Sequence, residues 1–278
     1  MPREWLPSRL PIIQAPMAGS QGVELCVAVC EAGGLGSIPS AMLTPATLRD
    51  QMAEIRARTP APFNVNFFCH EPPGPDPDQH ARWLEARGVD AVSAQGAEAG
   101  GHRGMFLSED IADQPGLVAL LPQVVDAVGV PVIAAGGIAD GWGVAAAFAL
   151  GARAVQIGTA YLLTPQALTT PLHRAALREA SDNATRLTNL FTGRPARGLV
   201  NRFMREHGPM NDAAPPFPLA TGAVAPLRAH WEKRGSGDYS PLWAGQAAAL
   251  AREEDAGALT ERLWREAKAT LAALRLEP

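Results

Sequence analysis

The sequence predicts an α/β fold: a parallel β/α barrel of the TIM type, followed by a helical C-terminal part. Between Pro11 and Leu163, short apolar runs alternate with Ala-rich amphipathic segments, which is typical of buried parallel strands joined by helices. Glycine or polar residues follow the C-terminal end of each run, where parallel folds carry their sites. No G-x-G-x-x-G pattern follows the first run, which argues against a dinucleotide-binding sheet. We therefore predict a ligand-binding barrel over residues 1–165 and a helical C-terminal domain over residues 166–278.

Six strands and five helices are predicted in the barrel part. The predicted strands are Ile12–Met17, Gly34–Ile38, Phe63–Phe68, Ala91–Gln95, Val130–Ala135 and Ala154–Gly158. The predicted helices are Gly22–Ala32, Pro45–Arg58, Ala81–Arg87, Leu117–Val128 and Gly141–Leu150. Because strands and helices alternate, we expect right-handed crossovers between neighbouring parallel strands.

The barrel part is shorter than a complete barrel requires. An eightfold barrel uses about 31 residues for each βα unit, so Pro11–Leu163 has room for about five units. The shortage follows strand Phe63–Phe68, which leads into a proline-rich stretch unsuited to helix or strand. Helix Ala81–Arg87 then leads directly to strand Ala91–Gln95. The spacing predicts that two βα units are missing between these two strands.

The pattern changes after Leu163, where we predict no strand. Two stretches rich in proline and glycine, Gly208–Pro218 and Gly235–Pro241, separate segments with helical periodicity. The predicted helices are Leu172–Ser181, Ser240–Arg252 and Leu259–Leu274.

The composition narrows the class of protein. Of the 278 residues, 47% are hydrophobic and 19% are charged, which argues against disorder, and the net charge of −4 favours neither nucleic acid nor an anionic membrane as a partner. The beginning of the chain shows no signal-peptide pattern. Three cysteines, Cys26, Cys30 and Cys69, fit buried thiols in a reducing cytoplasm, and we expect no metal site. The expected partners are small molecules.

The last two predicted barrel strands end in a pattern that suits a phosphate group. PVIAAGGIADG ends a strand in two glycines before a helix, and AVQIGTAYLL ends the next strand in Gly-Thr. Consecutive loops of this kind hold phosphate through backbone N–H groups and a helix N-terminus. Gly136, Gly137, Gly158 and Thr159 are therefore candidate phosphate ligands. The alternative is that the glycine pair only makes a tight turn.

A single histidine lies in the glycine-rich segment AQGAEAGGHRG, directly after a buried strand. His102 is a candidate base because the pKa of histidine lies near working pH. The alternative is an ordinary surface or structural histidine. The glycines suit close approach to a flat ligand. Glu98 and Arg103 are candidates for helix-capping or ion-pair roles, but for both residues the sequence favours a solvated or structural role.

Two further strands carry candidate contacts. PIIQAPMAG places Pro-Met at the tip of the first strand, where it could lie against a flat ligand or simply make a turn. Asn66 is a polar residue on a buried strand and should have a hydrogen-bond partner, either a ligand or neighbouring backbone.

These segments together resemble one family. In order, PIIQAPMAG, EAGGLGSI, FNVNFF, AQGAEAGGHRG, PVIAAGGIADG and AVQIGTAYLLTPQA are similar to segments of nitronate monooxygenases, formerly called 2-nitropropane dioxygenases. FTGRPARGLVNRF and DYSPLWAGQAA resemble the helical part of the same family. The resemblance implies a barrel that binds flavin mononucleotide (FMN) non-covalently. It also implies oxidation of alkyl nitronates by O₂ to carbonyl compounds and nitrite.

The resemblance also implies roles for individual residues. His102 would take the α-proton from a neutral nitroalkane or orient the anionic substrate. The residues that would contact the flavin are Ala15, Pro16, Met17, Asn66, Gln95, Gly100 and Gly101. The residues that would hold the ribityl phosphate are Gly136, Gly137, Gln156, Ile157, Gly158 and Thr159.

The chain departs from the family where the spacing already predicts a shortage. Members carry two more strands between the FNVNFF-like and AQGAEAGGH-like segments. Three explanations are open. The sequence is an incomplete version of a longer one, a natural deletion closed by six strands or by a partner subunit in a homodimer, or a degenerate relative without flavin.

Three other functions are compatible with parts of the pattern. An NAD(P)H-dependent flavin reductase acting on quinones or enoyl thioesters shares the Gly-Gly-His loop. A barrel-type nucleotide dehydrogenase would need a cysteine after the fourth strand, and no cysteine follows Cys69. A non-catalytic remnant, stabilised as a dimer, would bind no flavin.

Overall fold

A computed structural model of the chain describes residues 5–67, 88–104, 108, 110–182 and 184–274. The strands are β1 Ile12–Gln14, β2 Ser37–Pro39, β3 Asn64–Asn66, β4 Val92–Gln95, β5 Gly101–His102, β6 Val132–Ala135, β7 Ala154–Ile157, β8 Thr185–Thr188 and β9 Ala196–Leu199. The helices are α1 Val23–Glu31, α2 Pro45–Arg58, α3 Leu117–Ala127, α4 Gly141–Ala149, α5 Pro171–Arg178, α6 Arg202–His207, α7 Leu219–Glu232 and α8 Ala256–Ala273. All six predicted barrel strands and four of the five predicted barrel helices are confirmed. The fifth helix, Ala81–Arg87, lies outside the described residues.

The parallel strands follow the order of a β/α barrel. One sheet has the order β1-β7-β6-β4, and a second pairs β2 with β3. A parallel bridge between Ile13 and Leu35 joins the two sheets. The resulting order, β3-β2-β1-β7-β6-β4, confirms the predicted α/β fold class.

The two ends of this order lie on either side of the predicted shortage. Within the described part of the chain, β3 pairs only with β2 and β4 pairs only with β6. The sheet formed by these residues is therefore open between β3 and β4, the two strands that flank the position where two βα units are predicted to be missing.

The C-terminal part contains two strands that the sequence did not predict. β8 and β9 form an antiparallel hairpin, and β9 also pairs with β5, aligning Gly101 with Arg197 and His102 with Ala196. The expectation of a strand-free segment was wrong. Each strand has four residues and carries an arginine, which is too short a pattern for alternation to reveal. FTGRPARGLVNRF, expected to be helical, forms the hairpin turn, β9 and the beginning of α6.

The prediction of a helix over Ser240–Arg252 was also wrong. The N–H of Leu199 donates to the carbonyl of Leu242 at 2.8 Å, and the N–H of Ala244 donates to Arg197 O at 3.3 Å. This segment therefore extends along β9, and only a 3-10 turn over Gln246–Leu250 is helical. A proline at 241 and a glycine at 245 disfavour a continuous helix.

The last helix belongs to the layer that covers the sheet. α8 packs against α1 and α4. Leu259 and Leu263 of α8 share a buried cluster with Leu25 and Val144. The division of the chain at residue 165 stays a prediction. None of the described helices has the length and apolarity needed to cross a bilayer.

The thiols of Cys26 and Cys30 are free and buried in α1, as predicted. Cys69 lies outside the described residues. The two thiols pack with Val23, Val27, Ile38 and Ile55 in a cluster between α1, β2 and α2.

Buried His173 should make stability depend on pH. The side chain lies in α5 with 6% exposure, and burial lowers its pKa to about 4, more than the Trp243 backbone hydrogen bond raises it. The unfolded chain, with a pKa near 6.5, binds a proton in the window between pH 6.5 and 4, whereas the folded chain does not. Protonation of His173 in the unfolded chain therefore lowers the free energy of unfolding as the pH falls from 6.5 towards 4. Above pH 6.5 the folded chain keeps its full stability, and between pH 7 and 4.5 it loses about 2 kcal/mol.

Urea unfolding of wild type and His173→Gln at pH 7 and 4.5 measures this loss. We expect the variant to lose about 2 kcal/mol less over that interval. If wild type and His173→Gln lose the same free energy of unfolding over that interval, His173 binds its proton equally well in the folded and unfolded chains. The matched control, His230→Asn, changes an exposed histidine and should follow wild type.

Candidate active site

Two glycine-rich loops meet at the carboxyl ends of β6 and β7. These strands are parallel neighbours, so Gly136-Gly137 and Gly158-Thr159 lie side by side. Gly136 and Gly137 have φ of +118° and +69°, which L-residues with side chains rarely adopt. Within the described residues, the backbone N–H groups of these four residues donate no hydrogen bond to protein.

A side chain caps the helix that follows the β6 loop. The carboxylate of Asp140 accepts from Gly143 N at 2.8 Å, at the beginning of α4. The loop amides are further donors at this edge, and a phosphate fits them as an acceptor of several hydrogen bonds.

The guanidinium of Arg103 holds the glycine-rich loop after β4 in shape. Arg103 is 3% exposed, and its Nη atoms donate to the carbonyls of Gly96, Ala97, Ala99 and Gly101 and to Gln114 Oε1. Burial, and next the charge of Arg197, lower its pKa to about 10, so it remains protonated at neutral pH. A structural role for Arg103 is thereby confirmed.

Glu98 fixes the same loop to a helix. Both of its carboxylate oxygens accept from Leu117 N at 2.9 Å, at the beginning of α3. The predicted capping role of Glu98 is confirmed.

Gly245 of the C-terminal part joins the two loops. Its N–H donates to Thr159 Oγ1 at 2.9 Å, and the backbone N–H of the next residue, Gln246, donates to Glu98 O at 2.9 Å. A Cβ at Gly100 would lie 2.6 Å from Gly245 N, so packing against this backbone requires glycine there. At Gly101 a Cβ would meet no atom within 4 Å, but φ is +73°. No pattern in the sequence pointed to Gly245 as part of the site.

His102 lies in an aromatic setting built by the C-terminal part. Its ring centroid lies 5.9 Å from that of Phe217 and 5.7 Å from that of Trp243. Its Nε2 lies 3.0 Å from Thr192 Oγ1. The residue is exposed in part. Its pKa is lowered to about 4, mainly because the surrounding protein desolvates the ring and next because Arg194 and Arg103 carry positive charges nearby. The imidazole is therefore neutral at neutral pH and can accept a proton.

A buried amide network supports the tip of β1. Gln14 is fully buried, and its Oε1 accepts from Ser37 N at 3.1 Å, while its Nε2 donates to Gln21 Oε1 at 2.7 Å. Gln21 Oε1 also accepts from Met17 N at 2.6 Å, which fixes the Ala15-Pro16-Met17 tip. A Cβ at Gly158 would lie 3.6 Å from Met17 Sδ, so this tip adjoins the β7 loop. Sequence reasoning missed the role of both glutamines.

The remaining predicted residues are placed as follows. Gln95 Oε1 accepts from Gly104 N at 2.7 Å, and its Nε2 donates to His102 O at 3.2 Å, so it closes the histidine loop. Gln156 is half-buried on β7, whereas Ile157 is 1% exposed in the core, so only its backbone can reach a ligand. Asn66 lies on β3, at the other end of the strand order, and its carbonyl accepts from Ser40. Among the residues that the structure describes, no contact joins Asn66 to the other candidates.

Two surface cavities lie elsewhere. One, of about 260 Å³, is lined by Leu10 and Trp264, and the other, of about 420 Å³, by Met52 and Phe63. Neither contains a candidate residue. The strand-end loops, with their free amides and the neutral histidine, provide the better chemical site.

Comparison with known proteins agrees with this arrangement. The sequence profile of the family described as nitronate monooxygenase matches residues 4–82 and 77–266. A nitronate monooxygenase from Pseudomonas aeruginosa is 35% identical over 332 aligned positions, covering 91% of this chain and 95% of the relative. Because 332 positions exceed the 278 residues of the chain, the relative carries residues that this chain lacks. The two profile matches meet at residues 77–82, inside the predicted shortage.

Solved structures show the same similarity. A nitroalkane oxidase from Streptomyces ansochromogenes is 36% identical with a TM-score of 0.88, covering 97% of this chain and 99% of that one. FabK from Thermotoga maritima is 30% identical with a TM-score of 0.82, covering 98% and 97%. The predicted resemblance is confirmed, and the chain belongs to the nitronate monooxygenase family of oxidoreductases.

Proposed function

We propose that this chain binds FMN at the strand ends and oxidises alkyl nitronates with O₂ to carbonyl compounds and nitrite. The observation that carries the proposal is the cradle of free amides at Gly136-Gly137 and Gly158-Thr159, joined through Gly245 to the loop of His102. FMN supplies the redox chemistry when it is bound, and the protein supplies binding, orientation and the base.

The residues present fit the parts of FMN. The loop amides suit its phosphate, because adjacent strand ends bring together several N–H groups for which the described residues supply no acceptor. The supported tip Ala15-Pro16-Met17 offers an apolar edge, and Gln156 a polar side chain, on neighbouring strands. Asn66, Gln95, Gly100 and Gly101 remain proposed contacts of the flavin.

His102 would act on the neutral form of the substrate. Its neutral imidazole takes the α-proton of a nitroalkane, and the electron pair of the broken C–H bond forms the C=N bond of the nitronate. A nitronate supplied from solution needs no such step. Phe217, which is 47% exposed, and Trp243 border the imidazole with apolar surface, which suits the alkyl group of the substrate.

A flavin reductase that uses NAD(P)H is the second candidate. The segment Gly100-Gly101-His102 supports this candidate, because the Gly-Gly-His pattern is expected in that class of enzyme as well. The two candidates differ in the electron donor, so anaerobic reduction separates them. We expect ethyl nitronate to bleach the bound flavin and NADPH to leave it oxidised; the reverse would establish the reductase.

Binding of FMN is tested first by the visible spectrum of the purified protein and by identification of the released cofactor. Gly158→Ala then probes the cradle: φ is −111° and an added Cβ meets atoms no closer than 3.5 Å, so the fold should tolerate the methyl group. We expect FMN affinity to fall at least about tenfold, as a methyl group crowds the approach to the amides.

The matched control is Gly222→Ala on α7, where an added Cβ meets no atom within 4 Å. It should bind FMN as wild type does. Absence of FMN from wild type even after reconstitution would refute the proposed function. Equal FMN affinity of Gly158→Ala and wild type would refute this placement of the phosphate.

A further inference from the structure

The hydroxyl of Thr192 sits where it can decide which nitrogen of His102 carries the proton. Thr192 lies in the turn between β8 and β9, and its Oγ1 is 3.0 Å from His102 Nε2. The same oxygen is 3.1 Å from Arg194 O and accepts from Arg194 N at 3.4 Å. It therefore connects the imidazole to the hairpin backbone.

A count of protons assigns the direction of these hydrogen bonds. A threonine hydroxyl has one proton to donate and two lone pairs. The carbonyl of Arg194 can only accept, so it takes the Thr192 proton. All three contacts are satisfied together only when His102 Nε2 carries a hydrogen and donates it to Thr192.

We propose that Thr192 is a positioning residue that holds His102 in its Nε2–H tautomer and leaves Nδ1 as the atom that accepts the proton. The catalytic consequence rests on the proposed function, whereas the tautomer itself does not. No other hydrogen bond of the His102 side chain is found within the described residues, so Nδ1 keeps its lone pair.

The surroundings of the ring support this assignment. Phe217 and Trp243 restrict the ring on two sides, so the bond to Thr192 determines which nitrogen faces the hairpin. Arg103 does not compete for the ring, because its Nη atoms donate to loop carbonyls and to Gln114, and no hydrogen bond between Arg103 and the imidazole is found among the described residues.

The proton step then has a defined atom. The lone pair of Nδ1 takes the α-proton of a neutral nitroalkane, and the C–H electron pair becomes the C=N bond of the nitronate. The resulting imidazolium keeps its Nε2–H bond to Thr192. In the Nδ1–H tautomer, the lone pair would be on Nε2 and would point at the Thr192 hydroxyl. Nδ1 would then carry a proton and could not accept one from the substrate.

Nitrogen-15 NMR of the imidazole rings in the FMN-free protein at pH 7 tests the tautomer directly. His102→Asn identifies the His102 signals among those of the six histidines. We expect the Nε2–H pattern in wild type and Thr192→Ser, and a mixture of tautomers in Thr192→Val. A wild-type Nδ1–H pattern, or an unchanged pattern in Thr192→Val, would overturn the proposal even if one variant failed to fold.

Kinetics test the consequence. We expect Thr192→Val to lower kcat/KM for neutral nitroethane by about 10- to 100-fold, with little change for preformed ethyl nitronate. Thr192→Ser keeps the hydroxyl and should have the kcat/KM of wild type. Thr188→Val is the matched control, since Thr188 Oγ1 accepts from Leu190 N on the same hairpin. An equal loss on both substrates, or in the control, would indicate a structural effect only. Absence of flavin or of all turnover would defeat the proposed function but not the NMR result.

Discussion

Replacing His102 with Asn should lower kcat/KM for neutral nitroethane by about 10²- to 10⁴-fold, the usual contribution of a general base. Oxidation of preformed ethyl nitronate should change by only a few fold, because its α-proton has already been removed. Asparagine is shorter and cannot reach Thr192, but the amide of Gln95 and the guanidinium of Arg103 hold the loop, so its fold should persist. Steady-state rates with both substrates, normalised to bound flavin, measure the effect.

The pH profile gives an independent reading of the same role. The pKa of His102 is lowered to about 4, so the imidazole is uncharged above that pH. We expect kcat/KM for the neutral substrate to rise with pH through about 4 and then stay level through neutrality. The variant should lack this ascending limb.

The control for this prediction is His230→Asn, which changes an exposed histidine on α7 outside the site. It should match wild type on both substrates. If His102→Asn oxidises neutral nitroethane at the wild-type rate, His102 is not the base.

Hydrophobic periodicity was sufficient to predict the parallel strands and the helices that connect them. Each strand buried on both faces forms a continuous apolar run, and each helix that covers the sheet has an apolar face. Helix α2, Pro45–Arg58, has the predicted bounds because Thr44 caps it, Pro45 begins it and a threonine in extended conformation ends it. The glycines after β6 were found for a similar reason, since a positive φ leaves few alternatives to glycine.

The surroundings of His102 could not be predicted in the same way. Thr192, Phe217 and Trp243 reach it from the C-terminal part, about 90 to 140 residues away in sequence. The pairing of β5 with β9 depends on this long-range contact, and a strand of two residues has no periodicity. Gly100 shows what a sequence pattern omits: the backbone at Gly245, about 145 residues later in the chain, packs where a Cβ would lie, and the contact of Gly100 with a flavin stays a prediction.

Replacing Arg103 with Met should destabilise the folded chain by about 3 to 5 kcal/mol, the cost expected when one side of a buried charged network is removed. Methionine fills most of the volume of the aliphatic stem but donates nothing, so the carbonyls of Gly96, Ala97, Ala99 and Gly101 lose their shared donor. Because Arg103 stays protonated below a pKa of about 10, the loss should be the same at pH 6 and pH 8. Urea unfolding of the FMN-free proteins measures it.

The geometry of the arginine side chain predicts that Arg103→Lys has a stability between those of Arg103→Met and wild type. Arginine presents its donors as a planar fork, and here both Nη atoms contact more than one acceptor. An ammonium group keeps the charge but cannot reach the same set, so Arg103→Lys should lose less than Arg103→Met and remain less stable than wild type. The matched control, Arg58→Met, removes an arginine that pairs with Glu24 and Glu54 at the surface. It should cost at most about 1 kcal/mol.

The same substitution separates two explanations for the glycine-rich loop. If Arg103 holds the loop in the conformation that presents His102, then Arg103→Met should lose nitroethane oxidation and FMN binding even at temperatures where the protein remains folded. If the loop is held mainly by Gly245 and by the Glu98 cap, both activities should survive in the folded fraction. An unfolding free energy within 1 kcal/mol of wild type would show that the buried guanidinium contributes little to stability. Its contacts would then result from the loop conformation and would not maintain it.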